Sequence, residues 1–265
     1  MNITKFLTDV DAINKDNYNY GNDVLYSSFN FSKGILPVPG TTLDSKLSSV
    51  MSIIGKSYSA DPTRSAPKGV LQNNGTGDAF SLLAEKIVEH PDYKTLYKRV
   101  KDLSLKTFNY QNDVNDDKEI LISTIFCVAL LNYILRTVIY DIAKDKGINE
   151  VGKNTISFCS KFLHFLCPNV FFIKDSISLS SGNKLYKGNK SCSLKLDTPE
   201  FIAKKETSAI SEYLTHVTHS YYIAKILSDN GKICTPQILN DPNSTYMPRL
   251  VDSILMNAEK FNYFV

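Results

Sequence analysis

The stretch that decides the fold is INEVGKNTISFCSKFLHFLCPNVFFIKDS, residues 148–176. It opens on the Val151-Gly152 turn, and the spacing that follows predicts a helix over 153–166. Cys167-Pro168 closes that helix, because proline lacks the N–H that would continue the ladder. An apolar run, Phe171-Phe172-Ile173, then delivers one carboxylate, Asp175. Desolvating a carboxylate is costly, and perturbed ionisable groups concentrate at working sites. Asp175 is therefore the first residue to follow, either as the N-cap of a helix starting at Ser176 or as a reacting group. The two roles can coexist.

Working upstream, Ile120 to Tyr140 reads ILISTIFCVALLNYILRTVIY. Asn132 and Arg136 interrupt it, and its unbroken apolar part is shorter than the roughly 20 residues a bilayer needs. It reads as a buried central helix over about 114–144, stopped by Gly147, and no membrane is expected as a partner. Residues 44–56 form an amphipathic helix with Asp44 as cap, followed by a loop over 57–77 rich in Pro, Gly, Ser and Asn. Asp78 caps a helix that runs to Glu89, His90-Pro91 breaks it, and another helix runs from Tyr93 to Phe108. Downstream come a polar insertion at 181–197, a helical stretch over 198–229 and a last helix near 247–262. No strand pattern is convincing outside short pieces such as Gly34–Val38. The expected class is mainly α. Residues 1–77 are read as an N-terminal arm or small lobe, and residues 78–265 as the helical body.

Composition narrows the function. The chain has 265 residues, 43% hydrophobic and 22% charged, which is enough to bury a real core. A net charge of +3 is modest for a dedicated non-specific DNA binder. Cys127, Cys159, Cys167, Cys192 and Cys234 are odd in number and show no CxxC spacing; with four histidines they form no zinc pattern. Free thiols in a reducing cytoplasm follow, with no metal and no cofactor expected. Acids stand where a secretory signal would be apolar, so a cytoplasmic location is expected.

Residues 145–156 form a helical hairpin: one helix ends at Lys146-Gly147, Glu150-Val151-Gly152 makes the turn, and the next helix begins. A glycine frees the turn's backbone, and a helix N-terminus offers N–H groups to a phosphate. This arrangement, followed by Asp175, resembles the helix-hairpin-helix DNA glycosylases of the 8-oxoguanine glycosylase type. There a Leu-Pro-Gly-Val-Gly hairpin precedes a helix and a Pro-x-Asp segment supplies the essential carboxylate. The string Ser160-Lys161-Phe162-Leu163-His164-Phe165, Pro168, Phe171-Phe172-Ile173 and Asp175-Ser176 is similar to an uncharacterised bacterial group with that fold. The resemblance covers about residues 110–260. It implies a glycosylase-like helical core, nucleic acid as partner, and a hydrolase that removes a base. If the setting is bacterial antiviral defence, it also implies modified phage DNA as substrate. Val151, Gly152, Lys153 and Asn154 would hold phosphate, and Asp175 would be the carboxylate.

Two departures shape that expectation. Asn154 stands where bifunctional glycosylases place the Schiff-base lysine, and an amide cannot form that intermediate. Lys153 would point about 100° away around the helix, so lyase activity is not expected. Glu150 replaces the hairpin's first glycine and would repel a phosphate.

Other residues carry weaker indications. Lys161 and His164 share one side of the helix that leads to Asp175, as phosphate contact and proton donor or as a paired lysine and a buried histidine. Tyr221, Tyr222 and Phe165 are candidates to line a pocket for a flipped base. Lys184 and Lys187 belong to a basic loop with Tyr186, and Tyr58 and Arg64 to the Pro-containing loop; each group fits a phosphate contact or a solvated surface. The leading expectation is a monofunctional glycosylase-like protein. The alternatives are a non-catalytic DNA- or protein-binding module with the same fold, and a nuclease or small-nucleotide enzyme in which Arg64, Lys161 and Asp175 meet in one cleft. Metal dependence would mark the nuclease.

Overall fold

The apolar run Ile120–Tyr140 becomes the helix around which the others assemble. The computed structural model describes residues 20–41, 45–58, 60–71, 79–111, 115–150, 152–185, 207–231 and 246–258. Among these the protein is mainly α with no strand. Its α-helices are α1 (Tyr20–Phe29), α2 (Lys46–Ser57), α3 (Ala79–Glu89), α4 (Tyr93–Leu103), α5 (Lys118–Asp145), α6 (Ile156–Leu166), α7 (Ser176–Leu185), α8 (Thr207–Asp229) and α9 (Met247–Asn257). Short 3₁₀ turns cover Phe31–Lys33 and Pro62–Ser65.

Helix α5 is apolar nearly all round and packs against α3, α4, α6 and α8. By length and composition it could cross a membrane, but 67% of its most apolar window is buried inside the protein. Its one fully buried amide explains part of the architecture. Asn132 Oδ1 accepts the Thr155 N–H at 2.8 Å and the Thr155 hydroxyl at 2.9 Å. A polar group in a core costs free energy unless it is bonded, so this pair ties α5 to the start of α6.

Several boundaries differ from the sequence expectation, each for a local reason. α6 begins at Ile156 rather than Lys153, because Asn154 Oδ1 takes the Ile156 N–H at 3.0 Å and holds residues 154–156 in a side-chain turn. α4 ends at Leu103, which frees Phe108 to pack against Phe172 and Tyr221. α7 continues to Leu185, into the expected polar insertion, because Ser178, Ser181 and Gly182 form a buried face against α8. Ile35 and Leu36 are buried, but in irregular chain rather than a strand. The expected caps Asp44 and Asp78 lie outside the described residues.

α1 and α2, both within the expected N-terminal lobe, pack on α6. Tyr26, Phe29, Leu47 and Ile54 join the same hydrophobic core as α5 and α6.

The hairpin between α5 and α6 turns at Gly147, whose φ of 75° is left-handed and suits glycine. Gly152 is required for closeness instead. A Cβ there would stand 3.0 Å from Ile139 Cγ2 and 3.3 Å from the Ser65 carbonyl, while Lys153 N–H donates to that carbonyl at 2.8 Å. Gly152→Ala should therefore destabilise by ~1–3 kcal/mol through overpacking. A urea unfolding midpoint equal to that of the wild type would contradict this.

Candidate functional site

Residues 171–174 belong to neither helix nor sheet, yet Phe171, Phe172 and Ile173 are buried. Their backbone polar groups must find other partners. Phe171 O accepts from His164 Nδ1 at 2.7 Å, Phe172 O from the Tyr213 hydroxyl at 3.1 Å, and Ile173 O from His216 Nε2 at 2.6 Å. Lys174 N–H donates to Ser160 Oγ at 3.0 Å. Side chains of α6 and α8 thus grip each residue of the segment in turn, which fixes where Asp175 emerges.

Asp175 is an N-cap, one of the two roles expected for it. Its Oδ1 accepts the Ser178 N–H at 2.8 Å, and Ser178 Oγ accepts the Asp175 N–H at 3.1 Å. This reciprocal pair starts α7. The other carboxylate oxygen, Oδ2, lies 4.0 Å from Lys161 Nζ, and the Asp175 side chain keeps 20% of its surface in solvent. The expected pairing of Lys161 with an acid on this helix face is therefore present.

Lys161 is buried, and its Nζ donates to the Tyr58 carbonyl at 3.2 Å, beside the Tyr58 ring. Burial lowers its pKa, and the nearby Asp175 opposes that shift. On α9, Arg249 and Asp252 are also buried and form an ion pair with each other. The Arg249 guanidinium lies 6.0 Å from the centre of the Tyr58 ring. Burial pushes the Asp252 carboxyl up to about 6; Arg249 pulls it down and Asp175 pushes it up further. Two cations and two carboxyls therefore share one largely dry environment, roofed by Tyr58 and open to solvent through Asp175. Neither Arg249 nor Asp252 was anticipated. The available signal was an Arg and an Asp three apart within the apolar stretch of α9, MPRLVDSIL.

His164 lies behind this group and is fully buried. A carbonyl only accepts, so Nδ1 carries the proton toward Phe171 O, and Nε2 accepts the Tyr26 hydroxyl at 2.6 Å. Burial pushes its pKa down to about 3, so the ring is neutral near pH 7 and braces α1 against the Asp175 segment. Phe165 packs between the Tyr26 and Tyr58 rings.

The remaining expected residues are distributed elsewhere. Tyr221 is buried and donates to Asp117 Oδ2 at 2.6 Å, among Phe108 and Tyr110. Tyr222 is half-buried beside it. Lys184 is exposed on the last turn of α7, in a shallow groove with Lys174, Ser180, Asn183 and Glu212. Arg64 and Lys153 are exposed cations brought near each other, because Ser65 bonds the Lys153 N–H. Asn154 is exposed, while Val151 and Lys187 lie outside the described residues. The hairpin's N–H groups at Lys153, Thr155 and Ile156 are bonded within the protein, to Ser65, Asn132 and Asn154. Any phosphate contact at the hairpin falls to exposed side chains such as Lys153 and Arg64.

Compared with known proteins, the chain matches no family model, no curated protein and no solved structure.

Proposed function

We propose that this protein acts on nucleic acid as a glycosylase-like hydrolase without lyase activity, with Asp175 as its reacting carboxylate. The observation that carries this reading is the mounting of Asp175. It sits at the end of a segment gripped residue by residue, half-engaged as a helix cap, with Oδ2 beside Lys161 and partly open to solvent. Cleaving an N-glycosidic bond builds positive charge on the sugar, and a fixed carboxylate stabilises that charge or activates a water. Lys161 lies where it orients the second carboxylate oxygen. His164 holds the segment in place rather than donating a proton. Arg64, Lys153 and Lys184 are the exposed cations for the phosphate backbone.

The test is base release from duplexes carrying modified bases. Asp175→Asn should lower the rate by roughly 10²–10³-fold while weakening DNA binding little. Release that survives this change would remove Asp175 from the chemistry. A second reading, a non-catalytic binding module, is favoured by the hairpin N–H groups already bonded inside the protein. It expects salt-sensitive binding with no release from any duplex.

A further inference from the structure

The proposed chemistry leaves a second concavity without a role. Where the C-terminal end of α6 meets the end of α4, the chain forms a groove of about 360 Å³. That lies at the small end of the roughly 300–1,000 Å³ typical of small-molecule sites. The groove shares no lining residue with the group around Asp175. Its apolar surface comes from Phe31, Leu103, Leu166, Pro168 and Tyr246. These walls are braced from behind. Tyr246 packs on Tyr26 with ring centres 4.7 Å apart, Phe31 packs on Tyr97 at 5.6 Å, and the Cys167 thiol donates to the Val100 carbonyl at 3.6 Å. A groove formed in advance loses little free energy to ordering when a ligand enters.

Only one sign of charge lines the groove. Lys101, in the last turn of α4, and Lys106, just beyond it, are exposed cations, and no carboxylate is among the lining residues. Asp102 follows Lys101 in sequence but does not line the groove. Neither ammonium has an ion pair or hydrogen bond among the described residues. Leu105, also at the rim, keeps 83% of its surface in solvent and extends the apolar area. Asn169 adds a half-buried amide, a donor and acceptor without a partner among the described residues. Each feature selects part of a ligand. Aromatic walls favour a flat ring, whose face stacks on them. Two lysines favour a phosphate dianion, which they hold as point charges, over a single carboxylate. The amide suits a ring with a polar edge. We propose that this groove binds a nucleoside monophosphate, with the base against Tyr246 and Phe31 and the phosphate at Lys101 and Lys106. This site is independent of the reading of Asp175 as a reacting group.

The experiment titrates adenosine monophosphate into the isotope-labelled full chain and follows its amide resonances, with adenosine and inorganic phosphate as comparators. The amides of Ser32, Ser104 and Asn169 should shift and saturate, with a Kd below about 1 mM. Adenosine and phosphate should each bind at least about tenfold more weakly, because each keeps only one part of the contacts. Lys101→Gln combined with Lys106→Gln should weaken the monophosphate about tenfold and leave adenosine unchanged, since two solvent-exposed ammoniums supply charge rather than packing. Leu105→Asp should weaken it as well, by placing a carboxylate at the rim. All three positions are exposed, so the fold survives these changes. Absence of shifts at the groove amides at about 10 mM ligand overturns the proposal. Shifts centred on Lys161 and Asp175 also overturn it, since the nucleotide would then occupy the Asp175 group. Adenosine binding as tightly as its monophosphate, or unchanged affinity in the double lysine variant, removes the phosphate from the site and overturns it too. Base release from modified duplexes is a separate readout, and its presence or absence leaves the groove titration unaffected.

Discussion

Replacing Arg249 by Met should be among the most destabilising single changes in this protein, at ~3–5 kcal/mol near pH 8. The substitution leaves Asp252 buried with its only hydrogen-bonding partner gone, since Oδ2 bonds Arg249 and Oδ1 has no partner among the described residues. The carboxyl must then stay protonated at a pH that favours ionisation, or remain charged in a dry core. The penalty should therefore depend on pH in a defined direction. Asp252 already titrates near 6 with its guanidinium present, and higher without it. At pH 5 it is protonated in the variant at little cost, so the loss should be smaller there and grow as pH rises. The double change Arg249→Met with Asp252→Leu should recover most of the stability, because an apolar pair of similar size avoids the desolvation of two charges. Urea unfolding of wild type, single and double variants at pH 5 and 8 checks all three statements. A single variant as stable as the wild type at pH 8 would mean that solvent reaches this pair.

The second large effect is acid lability. His164 and His216 are buried and neutral, held down to about 3 and about 4 by burial. In the unfolded chain both titrate near 6.5. As pH falls below 6.5 the unfolded state takes up protons that the folded state refuses, so stability falls, by several kcal/mol in all on an order-of-magnitude reckoning. Asp252 works in the opposite sense. Its folded pKa of about 6 lies above the ordinary value of 3.8, so between those limits the folded state holds the extra proton. Two histidines against one carboxyl leave a net dependence of about one proton between pH 4 and 6, with stability rising with pH. Asp252→Asn removes the opposing group and should steepen the slope toward two protons. The measurement is the urea midpoint at half-unit steps from pH 4.5 to 7. A flat profile in the wild type would show that these rings are not excluded from water. The chemical consequence is local, since protonating His164 or His216 removes neither donor but puts an uncompensated charge behind the Asp175 segment.

Much of this protein was legible from the order of its residues. The apolar run of α5, the Cys167-Pro168 stop and the Phe171-Phe172-Ile173-Lys174-Asp175 delivery follow from local chemistry, and the structure places each where the spacing put it. So does the N-cap at Asp175, because a carboxylate and a helix start need only sequence neighbours to meet. Boundaries slipped where a side chain competed with the backbone, as Asn154 does at the start of α6. Tyr221 reads as a pocket aromatic, but a buried hydroxyl needs a partner and Asp117 is the one it reaches.

Neighbours a few residues apart therefore set the helical class, the apolar run of the central helix and the helix cap at Asp175. The group around Asp175 was decided only in three dimensions. Tyr58 comes from the end of α2, Lys161 from α6 and Arg249–Asp252 from α9, while His164 of α6 and Tyr213 and His216 of α8 reach the segment, with Tyr26 of α1 behind His164. The physical reason is that charges and carbonyls buried together constrain one another through distance and shared exclusion of water. No local pattern records those quantities.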